Sequence, residues 1–194
     1  AGPVDFDFTA NYTREKVKNR PALGDSQSNV GKNLMTLVGT YDQAWLKHYE
    51  DADGNYSNWN GNDQYNKNPY WDLYKNGNTS KKDVFRFTGK AIWNIDKHLK
   101  LQGTIGTDIN NMNFEDFIAK TTPGTPAGKL TDQIFNNRTL NAELLALYNN
   151  SWGDFDVNAT AGGNIFKVNN KTTTNIGLNQ QMNGIQNIMN YQEQ

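Results

Sequence analysis

The stretch VFRFTGKAIWNIDKHLKLQGTIGTDI, Val84 to Ile109, decides how the rest of the chain reads. In its first half Phe85, Phe87, Gly89, Ala91, Trp93 and Ile95 fall on one side, and Val84, Arg86, Thr88, Lys90, Ile92 and Asn94 on the other. After Asp96, Lys97 and His98 the alternation resumes, with Leu99, Leu101, Gly103, Ile105, Thr107 and Ile109 opposing Lys100, Gln102, Thr104, Gly106 and Asp108. A period of two on both sides of a short polar break predicts a β-hairpin. Each arm is about eleven or twelve residues long, against about five or six for a strand of a soluble domain. About nine to eleven tilted residues cross a bilayer. The second face, with Arg86, Lys90, Lys100 and Asp108, suits a water-filled lumen and not a packed core.

The same design recurs outward from this hairpin. Residues 4–13 alternate Phe6, Phe8, Ala10 and Tyr12 with Asp5, Asp7, Thr9 and Asn11. Residues 140–148 and 155–165 form a second predicted hairpin around a turn at 149–154. The expectation is an all-β chain with strands near 4–13, 84–95, 99–109, 140–148 and 155–165, joined by long outer loops over 14–82, 110–138 and 166–194 and by short turns between. Alternating short and long connections are the pattern of an antiparallel transmembrane β-barrel with long extracellular loops, and Trp93, Tyr148, Trp152 and Phe155 near the short turns suit an interfacial girdle. Five strands are too few to close a barrel, whose bacterial counts are even from eight upward, so the chain is expected to be a segment of a larger one. The beginning of the sequence, without a charged-then-apolar leader, is read as that of a mature or cut piece.

Composition agrees with this layout. Only 36% of residues are hydrophobic, yet nine Tyr, nine Phe and five Trp are too many aromatics for a solvated tail, and a net charge of −1 supplies no self-repulsion. One-faced strands with polar loops reconcile the two. With no cysteine, disulfides, thiolate zinc sites and Cys nucleophiles are excluded.

Within 14–82 the reading expects turns, among them DADGN at 51–55 and NPYW at 68–71, and one short helix in 41–50 capped by Thr40. Asp51 and Asp53 suggest a calcium loop, but Gly54 falls at the fourth position and Asn62 at the twelfth, so the EF-hand spacing fails and an Asx-rich turn is the better reading. His48 and His98 have no catalytic or metal-ligand pattern around them and are read as solvated. The basic stretch Lys81, Lys82, Arg86, Lys90, Lys97 and Lys100 is set against a net charge of −1, which argues against nucleic acid. No metal, cofactor or catalytic group is expected. Binding candidates are Arg86 and Lys90 on the lumen face and Trp59, Tyr70 and Trp71 among loop aromatics that could stack on sugar rings, with Trp45, Tyr56 and Tyr65 beside them.

NPYW at 68–71, the basic-aromatic strand ending in LKLQGTIGTD at 99–108 and AGGN at 161–164, in that order, together resemble the middle of the barrel of SusC/RagA-type TonB-dependent outer-membrane transporters. NRPALGDS at 19–26 and YEDADGN at 49–55 resemble loop segments of that family. The resemblance implies a twenty-two-stranded barrel with an N-terminal plug, here absent from the chain, and import of glycan oligomers or peptides across the outer membrane. It also implies a SusD-like surface lipoprotein as lid and drive from the TonB complex. A soluble all-β carbohydrate-binding or adhesion module is the alternative, using the same aromatics and Asn-rich loops; a β-rich glycoside hydrolase fragment is a weaker one.

Overall fold

The computed structural model describes residues 4–37, 39 and 41–193. Six strands form one antiparallel sheet in simple sequence order: β1 Val4–Lys18, β2 Gly77–Asn94, β3 Leu99–Ile118, β4 Lys129–Trp152, β5 Phe155–Gln180 and the short β6 Tyr191–Glu193. β6 pairs only with the far end of β5, Leu178 opposite Glu193 and Gln180 opposite Tyr191. The all-β class and the antiparallel hairpins are as the alternation predicted.

The strand lengths are not. β3 runs 20 residues, β4 24 and β5 26, so most of the stretches expected as outer loops at 110–138 and 166–194 are strand. The connection between β3 and β4 is only residues 119–128, pinned by a bridge between Thr122 and Thr125. Backbone ladders need no apolar face: KVNNKTTTN at 167–175 has Val168 alone, and in NNMNFED at 110–116 only Met112 and Phe114 alternate with polar residues, so the two-residue hydropathy signal is too short to mark a strand while the backbone still pairs. The short turns are tight. Asp96 Oδ1 accepts from the backbone N–H groups of His98 and Leu99, and Gly153, at φ +58°, opens the two-residue link from β4 to β5, where only a glycine-like backbone matches the strand twist.

Residues 14–82, expected as one long loop, keep strand at both ends and hold three short helices between: α1 Val30–Met35, α2 Gln43–Leu46 and α3 Pro69–Tyr74. The helix expected over 41–50 is thus four residues long, and Asp42 is its cap, accepting from Ala44 N; the Thr40 cap lies outside the described residues. NPYW is a helix start and not a turn. Asn68 caps it through Tyr70 N, and Pro69 occupies the first helical position, where its missing N–H costs nothing.

Contacts divide the chain into two compact units. The first comprises residues 4–15, 82–112 and 135–172, the halves of the strands next to the short turns; the second comprises 16–81, 113–134 and 173–193, the far strand halves with the helices. Among the described residues every buried side chain belongs to the second unit, where Tyr56, Trp71, Phe117, Ala119, Leu130 and Tyr191 make the core.

Candidate functional site

The first unit is a bare sheet whose two faces differ. On one lie Phe6 and Phe8 of β1, Phe85, Phe87, Gly89, Ala91 and Trp93 of β2, Leu101, Gly103 and Ile105 of β3, Leu144 of β4 and Ile165 of β5. Across-strand contacts confirm this facing. A methyl built on Gly89 would touch Ile105 at 3.5 Å, and one on Gly103 would touch Leu144 at 4.0 Å. Two shallow apolar depressions of about 600 Å³ and 610 Å³ lie along this face, one floored by Gly89, Ala91 and Gly103, the other by Ala142, Ala161 and Gly163. The side chains between are open: Phe6 is 77% exposed, Phe8 76%, Leu144 59% and Ile165 68%. On the opposite face Arg86 pairs with Asp108 at 3.3 Å, with both side chains mostly exposed.

The apolar face has a definite height. It runs from Phe85 in β2 to Ile95 just past its end, about ten steps of ~3.3 Å, which at the usual barrel tilt of ~40° is about 25 Å measured across a bilayer. On the same face the next residue of each strand is polar: Arg14 in β1, Asp83 in β2, Asn111 in β3, Arg138 in β4 and Lys167 in β5. Tyr12 donates its hydroxyl to Asp83, and Arg14 lies 3.7 Å from the same carboxylate. At the other end His98, Tyr148 and Trp152 follow one another at ring separations of 6.4 Å. His98 is half-buried there, with its Nδ1 3.0 Å from the Asn149 carbonyl.

The second unit is held by the NPYW segment. Trp71 is fully buried, and its Nε1 donates to Thr122 Oγ1 at 2.8 Å. Asn68 donates its backbone N–H to Tyr56 Oη at 2.7 Å and its side-chain amide to the Leu46 carbonyl at 2.9 Å. Burial pushes the Tyr56 phenol up to about 12. Lys67 is buried beside Asp72, 3.3 Å from Oδ1, and also donates to Ser28 Oγ. In DADGN the Asp51 carboxylate accepts from the backbone of Asp53 and Asn55 and from the Asn55 side chain, so its oxygens serve the turn itself. Those N–H bonds, Asn55 first, hold its pKa below the usual carboxylate range.

The binding candidates therefore fare differently. Trp71 and Tyr56 are corrected outright, since a sugar ring cannot reach a core indole or a buried phenol. Tyr70 stacks on Tyr74 at 6.1 Å, and Tyr74 on Tyr49 at 5.5 Å. Trp59 leans on Tyr41 at 5.2 Å, which also meets the exposed Trp45 at 6.0 Å. Among the described residues two aromatic clusters thus remain, Tyr70–Tyr74–Tyr49 and Trp59–Tyr41–Trp45, and Tyr65 is exposed by itself. Tyr41, Tyr49 and Tyr74 were missed by the sequence reading; the i, i+4 spacing of Tyr70 and Tyr74 on one helix was the available signal. The second unit also holds a cavity of about 500 Å³, with Arg20, Asp72, Asn76, Asn78 and Asp116 on its wall. Arg86 and Lys90 lie in the first unit, apart in sequence and in unit from these aromatics. Neither the models of known protein families nor the curated proteins include one that matches this sequence.

Proposed function

We propose that the chain is a sector of a transmembrane β-barrel in the bacterial outer membrane, part of a SusC-like importer of glycan oligomers or peptides. The observation that carries this reading is the exposed apolar band, about 25 Å tall, bounded by a polar residue on every long strand. In water that face would cost about 25 cal/mol for each Å² left uncovered, and lipid is the solvent that matches its height. The sheet edges point the same way. Among the described residues β1 has a neighbour only on its β2 side, and β5 is exposed from Phe155 to Ile176. Unpaired ladder groups do not survive in hydrocarbon, so both edges continue into further strands of a closed barrel.

In this reading the protein is not an enzyme. Arg86, Asp108 and Lys90 line the wet wall of the pore, where a plug and the passing substrate would meet them. The loop unit stands outside the membrane and offers its two aromatic surfaces to oligosaccharide or to a SusD-like lid, while TonB acts on parts of the protein beyond this chain. The exposed flank weighs against a soluble carbohydrate-binding module, whose sheet faces would be packed against each other. The test has two arms. In aqueous buffer the isolated chain should precipitate or require detergent, and a monomer that unfolds cooperatively in buffer would overturn the membrane reading. Cells lacking the complete protein should lose uptake of labelled oligosaccharide or peptide, and undiminished uptake of both would overturn the importer reading.

A further inference from the structure

The two rims of the apolar band are chemically unlike. At the short-turn rim the band face ends in Trp93, Ile95, Leu99, Trp152 and Phe155, aromatic or aliphatic and without charge. At the far rim it ends in Arg14, Asp83, Asn111, Arg138 and Lys167, three bases against one acid. That acid is already engaged by Tyr12 and Arg14. Arg138 and Lys167, on adjacent strands, are exposed and have no ion-pair partner among the described residues. An uncompensated pair of cations at one edge of an oil-facing band, with none at the other, is an orientation-dependent electrostatic feature.

We propose that this rim binds the phosphate groups of anionic lipid headgroups in the leaflet on the loop side, with Arg138 and Lys167 as the principal contacts. The inference rests on the membrane reading above. The chemistry is that of charge-assisted hydrogen bonds: a guanidinium donates two parallel N–H bonds to phosphate oxygens, and an ammonium a single strong one. Both sit within reach of a headgroup layer because the hydrocarbon boundary falls between Leu140 and Arg138 in β4 and between Ile165 and Lys167 in β5. The uncharged aromatic rim has no such attraction and suits an interface of any headgroup.

The test uses the complete protein folded into phosphatidylcholine vesicles, with or without phosphatidylglycerol, and reads the folding equilibrium by the heat-modifiable shift in electrophoretic mobility. Anionic lipid should favour the folded wild type, and added salt should erode that gain. Arg138→Gln combined with Lys167→Gln should remove most of it, about thirty-fold in the equilibrium constant, while folding in phosphatidylcholine alone stays at the wild-type level. Lys97→Gln, the same charge change in a short turn, should leave the gain in place, and Arg138→Lys should keep a part. A double variant that retains the whole gain, or a Lys97→Gln variant that loses as much, would overturn the proposal. Wild-type protein that inserts into neither vesicle would instead overturn the membrane reading on which it rests.

Discussion

The two units of this chain solve opposite problems with the same strands. Where residues 113–118 of β3 and 129–134 of β4 meet the helices, apolar side chains turn inward: Phe117 and Leu130 are each 3% exposed beneath Trp71 and Tyr191. Where the strands run on into 82–112 and 135–172, apolar side chains of comparable size stand open and nothing packs on them. The first arrangement is the ordinary answer to water, and the second is the exposed apolar surface that the membrane proposal assigns to lipid. Burial is thus a property of surroundings here as much as of residue type, since Phe85 and Phe117 differ in what covers them and not in chemistry.

The comparison predicts that damage to one unit should leave the other standing. Trp71→Ala removes the centre of the loop core and leaves Thr122 without its donor, a loss of about 3–5 kcal/mol. On the proposed barrel reading, proteolysis of the complete protein in membranes should then cut within 16–76 while the heat-modifiable mobility is kept; loss of both together would break the separation. On the same reading Ala91→Arg in the band should cost ~2–4 kcal/mol of folding into a bilayer, whereas Thr88→Arg on the opposite face should be tolerated. Equal damage from the two would show the faces to be misassigned. Gly162→Ala probes the sheet without regard to either solvent. An added methyl would lie 2.4 Å from the Leu144 carbonyl oxygen, so β5 must shift from β4, at about 1–3 kcal/mol in denaturant titrations of the folded protein.

The smallest effect concerns the exposed 51–55 turn. Because the folded pKa of Asp51 is depressed, its contribution is present above the ordinary carboxylate value near 3.9 and is lost as pH falls through the lower, folded value. Asp51→Ala should therefore raise protease cleavage in this turn at neutral pH, and wild type and variant should converge in strong acid. A difference that persists unchanged there would remove the carboxylate from the account.

What could be read from the residues follows the same division. In the band one face is apolar and the other polar, so alternation located 84–95, 99–109, 140–148 and 155–165 and assigned their faces. Beyond the rim the apolar residues are few and interrupted, Met112, Phe114, Phe117 and Ile118 in β3 and Phe166, Val168, Ile176 and Leu178 in β5, so the alternation is too short to mark the strand from Asn110 to Ile118 or from Phe166 to Gln180. The alternation therefore reported where the apolar band stops and not where the strands stop. In the loop unit the determining contacts are remote: Trp71 meets Thr122 across 51 positions, and Tyr56 N meets Thr121 across 65. Nothing local distinguishes that indole from the exposed Trp45. Asn68 and Pro69 suggest a turn by composition, and the same two residues are a helix cap and first position once Trp71 has a pocket to enter.

The central claim is that one flank of the β2–β3 hairpin faces lipid and the other water, and spin labels placed singly from Val84 to Ile109 in the complete, membrane-inserted protein test it most directly. Oxygen collision rates should peak at 85, 87, 91, 101 and 105, and rates with a soluble nickel chelate at 86, 88, 102 and 104, the two profiles running out of phase with a period of two. Profiles that rise and fall together, or a nickel maximum at Phe87 and Ile105, would contradict it.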